Sequence, residues 1–245
     1  MIPKIIHYCW LSGDQIPEKL QKYLDTWSKI LPDYQFILWD LNKFDIKSSL
    51  WVEQAFRAKK YAFAADYIRL YALYNHGGIY LDMDVEVLKS FNAFIPLKTM
   101  LCFEKSKDKR LEMATFGTEK GSRWIKECLS YYDNREFISQ DGIMDTKVLP
   151  CIISELLYKN NYKLQPVNNI KEACQIKEEK IIPVFNDEYF SPKSYGNGKI
   201  TITNNTYSIH HFEGTWLPWY AKLEKYIFQC LGLTYRAILV KLIKS

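Results

Sequence analysis

The sequence predicts an α/β layered fold with a largely parallel sheet. Two observations carry this: short apolar or β-branched runs alternate with helix-periodic segments, and the runs are bounded by turn residues. A third sets the scale, because 245 residues that are 48% hydrophobic and 25% charged can bury one sizeable core. In such a sheet a ligand site is expected at the carboxyl ends of the strands.

Taken in order, Lys4–Trp10 is apolar and β-rich and ends in a Ser12-Gly13-Asp14 turn. Pro17 opens a helix to about Ile30, and Pro32-Asp33 turns the chain into a strand over Tyr34–Trp39. Helices follow at Leu50–Lys60 and Ala62–Asn75. In the second of these, Phe63, Tyr67, Leu70, Tyr71 and Tyr74 recur at three- and four-residue spacing. Gly77-Gly78 stops that helix and Ile79-Tyr80-Leu81 begins a strand. Further strands are expected near Met100–Phe103, Ile181–Phe185 and Tyr207–His211, with helices near Ser122–Tyr132 and Thr146–Lys159. Residues 1–218 read as the main domain and 219–245 as a basic, amphipathic helical segment.

Composition excludes several classes. No apolar run approaches the roughly 18 residues of a spanning helix. The strand-like start, Met1-Ile2-Pro3-Lys4, leads to the expectation of no signal peptide and a cytoplasmic enzyme. The six cysteines form no C-x-x-C pair and are expected to be reduced thiols. Net charge is +5, of which +4 lies beyond Trp219, in Lys222, Lys225, Arg236, Lys241 and Lys244 against Glu224. The remainder is near neutral, which excludes a general nucleic-acid binder. Within the tail, Ile238, Leu239, Leu242 and Ile243 intersperse with the bases. Two readings stand: peripheral contact with a membrane surface, or a terminal helix whose basic face is solvated.

The sharpest feature is Ile79-Tyr80-Leu81-Asp82-Met83-Asp84-Val85, an apolar strand ending in two acids one residue apart. In extended chain both point to one side, about 6–7 Å apart, and repel unless a cation lies beside them. A hard divalent ion suits such oxygens and could hold a diphosphate. On the preceding helix, Asp66 and Arg69 share a face among small and apolar neighbours. They are either a buried salt bridge or polar anchors for sugar hydroxyls. In Ile209-His210-His211-Phe212-Glu213-Gly214-Thr215-Trp216, one of the two histidines can complete a metal's shell, because strand alternation lets only one face the site.

The segments at residues 2–10, 61–88 and 209–216 together resemble the sugar transferases with the DXD motif, and more closely family 32 of the glycosyltransferases, related to the sugar-transferring domains of large clostridial toxins. The resemblance implies a GT-A fold, a UDP-sugar donor carrying galactose or glucose, Mn²⁺ or Mg²⁺, and retention at the anomeric carbon. It implies Trp10 as the base-stacking aromatic, Asp66 and Arg69 as holders of the donor sugar, and Tyr80 among the donor-binding residues. Asp82 would reach the ribose or the metal, with Asp84 and His211 as direct ligands, and Thr215-Trp216 would lie near the diphosphate. The middle of the chain departs from the family pattern, with Ser139-Gln140-Asp141-Gly142 where many members carry Thr-Gly-Pro. Asp141 is therefore carried as a catalytic candidate, and Glu104 as a second carboxylate to test as nucleophile. The acceptor is expected to be a saccharide, lipid-linked at the inner face of the cytoplasmic membrane, in capsule or O-antigen synthesis. The competing enzyme class is a haloacid-dehalogenase-like phosphohydrolase with Asp82 as nucleophile. A membrane-associated binding module without catalysis is a third reading, weakened by the buried polar groups.

Overall fold

The structure, a computed structural model, describes residues 1–106, 108–214 and 219–230. In chain order the strands are β1 (Ile5–Cys9), β2 (Gln35–Trp39), β3 (Gly78–Leu81), β4 (Val85–Val87), β5 (Thr99–Met100), β6 (Thr115–Thr118), β7 (Lys163–Val167), β8 (Ile181–Phe185) and β9 (Ser208–His210). The helices are α1 (Glu18–Ile30), α2 (Leu50–Arg57), α3 (Tyr61–His76), α4 (Arg123–Leu129), α5 (Leu149–Lys159), α6 (Ile170–Gln175) and α7 (Trp219–Cys230). The central sheet runs β2-β1-β3-β6-β5. β1 is parallel to β2 and β3, and β6 is antiparallel to both β3 and β5, so four of these five strands point one way. The parallel pair β7-β8 abuts the sheet through a bridge between Phe185 and Cys102. β4 and β9 form a separate antiparallel ribbon.

Each face of the sheet has its own core. Trp51, Ile68, Phe116, Ile125 and Ile153 fill the side covered by α2, α3, α4 and α5. Ile6, Trp27, Ile79, Leu81, Phe94 and Phe185 fill the other. Strand alternation sorts β3 between them, with Tyr80 in the first cluster and Ile79 and Leu81 in the second. This is why the strand reads as an unbroken apolar run.

α3 differs from its expected face. Ala64, Ile68, Leu70, Ala72 and Leu73 are its most buried residues, so of the expected face Leu70 is buried, whereas Tyr67, Tyr71 and Tyr74 are half-buried. Small side chains let the helix lie close on the sheet. The tyrosines spread sideways, with Tyr67 and Tyr71 packing on Phe44. The short elements β4, β6, β7 and α6 were not legible in the hydrophobic pattern.

α7 also departs from expectation. Ala221, Glu224 and Lys225 are buried, while Leu223, Tyr226 and Ile227 are exposed. Lys225, one of the bases of the 219–245 segment, is thus packed against the body of the protein. The amphipathic segment expected at Tyr235–Lys244 lies outside the described residues. Among the described residues, no helix is long and apolar enough to cross a membrane.

The Gly77-Gly78 junction ties α3 to the sheet. Gly78 has φ +108°, and a Cβ there would lie 2.6 Å from the carbonyl oxygen of Ile5 on the neighbouring strand. Only glycine meets both conditions. Beneath it, His7 is fully buried; its Nε2 lies 2.8 Å from the Gly77 carbonyl, and its Nδ1 accepts from Trp39 Nε1 at 3.0 Å. The neutral Nε2–H tautomer satisfies both contacts. Burial, reinforced by the nearby His76, lowers the His7 pKa from 6.5 to about 4 against the opposing bond to Gly77. The unfolded chain thus takes up the proton first. The stability His7 contributes is whole above pH 6.5 and is lost as pH falls towards about 4. Chemical denaturation of wild type and His7→Gln across this range should show their stability difference shrinking by roughly 3 kcal/mol.

Candidate metal and donor site

The site forms where β1 and β3 end side by side. Their register pairs Ile6 with Ile79 and His7 with Tyr80, which brings Trp10 level with the residues after Leu81. Asp82 and Asp84 do not continue the strand. Asp82 N–H donates to the Ala114 carbonyl, and Val85 N–H donates back to the Asp82 carbonyl at 3.0 Å, closing a turn. The turn replaces the extended geometry expected of the pair and delivers Val85 into the β4-β9 ribbon, opposite His210.

As a result, one donor atom each from Asp82, Asp84 and His210 lies within 4.8 Å of the others. His210 Nε2 is 3.5 Å from Asp84 Oδ1. Two carboxylate oxygens and an imidazole suit a Mn²⁺- or Mg²⁺-sized ion and leave coordination positions for phosphate oxygens or water. The residues present therefore fit the expected ion.

His211, the ligand expected from the resemblance, is turned away. It is the next residue along, so its ring falls on the opposite side of the ribbon, where it stacks on Tyr23 at 4.5 Å and bonds Glu86 at 2.8 Å. Burial lowers its pKa. The histidine beside the carboxylates is His210.

Behind His210 stands Glu112, which the sequence reading missed. This carboxylate is buried, lies 3.2 Å from His210 Nδ1, and accepts from Ser191 Oγ at 2.5 Å and Ala114 N–H at 2.7 Å. Its only sequence signal is a lone acid inside the apolar run Leu111–Phe116. Carboxylate–histidine–metal chains orient the imidazole in this way. Burial alone would keep His210 neutral, but Glu112 and Asp84 outweigh it and hold the ring protonated, with a pKa well above the usual value. Burial likewise opposes ionisation of Asp84, yet His210 and the Glu213 N–H bring it down to about 2.

The Asp66–Arg69 pair joins the same cluster. Arg69 Nη2 is 3.3 Å from Asp66 and 3.2 Å from Asp82, Nη1 donates to the Met113 carbonyl at 2.9 Å, and the guanidinium lies 4.5 Å from the Tyr80 ring centre. Tyr80 donates its hydroxyl to Asp82 Oδ1 at 2.9 Å. Burial raises the Asp66 carboxyl to about 7 despite Arg69, with Asp82 adding to the shift. Burial raises Asp82 in the same direction. Both anchors thus stand next to the carboxylate turn.

Trp10 is partly buried just beyond β1, with its indole N–H donated to the Asp14 carbonyl at 2.7 Å. Glu104 pairs with Arg110 at 3.2 Å, and burial together with Glu112 raises its pKa against Arg110 and His210. Asp141 stands on the exposed turn Ser139–Gly142, in a hairpin closed by Ile138 and Met144, and takes no part in the network above. Thr215 and Trp216 lie outside the described residues.

Residues 17–101 match the family described as "Glycosyltransferase sugar-binding region containing DXD motif", a segment that spans Asp66, Arg69, Asp82 and Asp84. An uncharacterized glycosyltransferase of Acanthamoeba polyphaga mimivirus is 29% identical over 94% of this chain and 89% of its own length. Inositol phosphoceramide mannosyltransferase 3 of Schizosaccharomyces pombe is 36% identical over 34% of this chain, but over only 24% of its own length. The chain thus covers about a quarter of that yeast relative. The solved structure of the PaToxG glycosyltransferase superposes with a TM-score of 0.51 at 24% identity, over 65% of this chain and 69% of that one, which places the two in the same fold. The chain thus carries a DXD sugar-binding region and is similar over nearly its whole length to a glycosyltransferase. The phosphohydrolase alternative finds no support: Asp82, its nucleophile, is held by Arg69 and Tyr80 instead of being left free for attack.

Isothermal titration with Mn²⁺ separates the two histidines. His210→Ala should weaken binding at least tenfold and Glu112→Gln by roughly tenfold, whereas His211→Ala should stay within about twofold of wild type.

Proposed function

We propose that the protein is a metal-dependent transferase that moves a hexose, with retention, from a nucleoside-diphosphate sugar to a saccharide hydroxyl. The observation that carries this is the convergence of Asp82, Asp84 and His210 at the mouth of a glycosyltransferase fold, with Asp66 and Arg69 alongside. Bound there, Mn²⁺ or Mg²⁺ would supply positive charge to the diphosphate as the sugar leaves. Asp82, Asp84 and His210 would hold that ion. Asp66 accepts, and Arg69 donates, hydrogen bonds to donor-sugar hydroxyls, and Trp10 stacks on the base. Retention needs either a carboxylate on the sugar's far face or attack from the near face. Glu104, partly buried and within reach of the charges of Glu112 and His210, is the better-placed carboxylate; Asp141, on an exposed turn, is the other.

UDP carrying galactose or glucose is the donor that the family resemblance implies. The yeast relatives are named mannosyltransferases acting on inositol phosphoceramide, which brings mannose into the donor panel and supports a lipid-linked acceptor. Capsule or O-antigen assembly at the inner membrane face is the setting that fits such an acceptor. The outward Leu223, Tyr226 and Ile227 of α7, followed in sequence by Arg236, Lys241 and Lys244, support peripheral contact with an anionic surface.

Protein-observed binding of UDP- and GDP-sugars, with and without Mn²⁺, tests the reading. One donor should bind only with metal, and Asp84→Ala should lose that binding by more than about 100-fold; no binding of any donor by wild type overturns it. Sedimentation with vesicles containing phosphatidylserine should pull down wild type and recover several-fold less of a Leu223→Ser, Tyr226→Ser, Ile227→Ser variant.

A further inference from the structure

Two lysines converge on the backbone of His211 and Phe212, the segment that follows His210. Lys193 follows the buried Tyr189–Ser191 segment and donates Nζ to the His211 carbonyl at 2.7 Å. Lys225, from α7, is 8% exposed and donates Nζ to the Phe212 carbonyl at 2.7 Å. Its ammonium lies 4.4 Å from the Tyr195 ring centre and 5.8 Å from that of Phe212. Among the described residues, neither lysine has a carboxylate within 4.0 Å, although the chain makes such pairs freely elsewhere, as Lys19 does with Glu213 at 2.6 Å.

Withdrawing an ammonium group from water without a paired anion is costly. Both amines register that cost: burial lowers the pKa of each, that of Lys225 to about 8, and Lys193 pushes Lys225 further down. The attraction of Asp84 and Glu213 for both lysines works the other way and offsets part of the cost. The geometry agrees: the two ammonium groups are held by the carbonyls of His211 and Phe212, and the N–H groups of His211 and Glu213 in that same segment donate to the Asp84 carbonyl at 2.9 Å and to its carboxylate at 2.8 Å. Each is fixed by a backbone carbonyl that takes only one of its three N–H donors. A small, multiply charged anion with several oxygens, seated against the metal ligands, would take up the remaining donors and relieve both charges.

We propose that Lys193 and Lys225 form the cationic wall of the site, binding the diphosphate of the donor and of the nucleoside diphosphate product. This rests on the transferase reading, and it gives α7 a role in the active site besides any contact with a membrane. It also explains why α7 buries a lysine while exposing Leu223, Tyr226 and Ile227. Asp82, Asp84 and His210 would hold the metal, and the two ammonium groups would supply further positive charge and N–H donors to the diphosphate.

The test uses the full chain with saturating Mn²⁺ and compares UDP, GDP and uridine. Titration calorimetry reads the diphosphates, and ligand-observed NMR reads the weak nucleoside. Lys193→Gln and Lys225→Gln, which can keep the bond to the carbonyl without the charge, should each weaken the preferred diphosphate about 5–30-fold. The double variant should lose more than 50-fold. Uridine affinity and Mn²⁺ affinity should stay within about threefold, and Lys225→Arg should recover most of the loss. Diphosphate binding unchanged in the double variant overturns the proposal. So does an equal loss of uridine and diphosphate, which marks a structural role. Failure of wild type to bind either diphosphate instead sinks the transferase reading, and this proposal with it.

Discussion

The buried guanidinium of Arg69 is the contact on which the site depends. It lies on α3, is 6% exposed, and touches Asp66, Asp82, the Met113 carbonyl and the Tyr80 face at once. Those groups come from a helix, the turn after β3, the segment before β6, and β3 itself. An arginine so far from water is tolerable only if nearly all of its donors are met. Meeting them fixes how the helix, the strand and the carboxylate turn sit relative to one another. The small residues of α3 serve the same end, since only a helix lying close to the sheet brings Arg69 within reach of Asp82.

Around that contact the protein concentrates negative charge. Asp66, Asp82, Asp84, Glu86, Glu104, Glu112 and Glu213 all act on the groups of the site. Arg69 answers the first two. The proton on His210 answers Asp84 and Glu112, and it occupies the ring nitrogen that faces the carboxylates. A divalent cation arriving at those oxygens competes with that proton, so metal binding and proton release are coupled by charge alone. Glu112 then retains its function: whichever partner His210 has in front, the carboxylate behind keeps the ring aimed.

The β4-β9 ribbon makes the two neighbouring histidines different. His210 faces the carboxylate turn and His211 faces α1, where Tyr23 and Glu213 extend the network to Lys19. The ribbon also carries the His211 and Phe212 carbonyls that steady Lys193 and Lys225. One short strand pairing thus separates the histidine beside the carboxylates from the one stacked on Tyr23, and it positions the carbonyls that hold two cations. α7 depends on it as well, because its buried Lys225 has a seat only if Phe212 stands where the ribbon puts it.

The sequence by itself determined the α/β class, the long elements and the acids. β1, α1, β2, α3, β3 and β8 appear close to their expected places, because their patterns are local: period two or 3.6, bounded by proline and glycine. The D-x-D and the Asp66–Arg69 spacing were legible for the same reason. Tertiary structure decided what local pattern does not encode. Strands of three or four residues, such as β4 and β6, carry too few side chains to show a period. The choice of His210 over His211 depends on which strand pairs with β9. Glu112 is brought to His210 and Lys193 to the His211 carbonyl by contacts between segments apart in sequence, and Lys225 looks solvated until α7 is packed against Phe212. Burial and charge neutralisation act through space, so these residues acquire their roles only when the chain has folded.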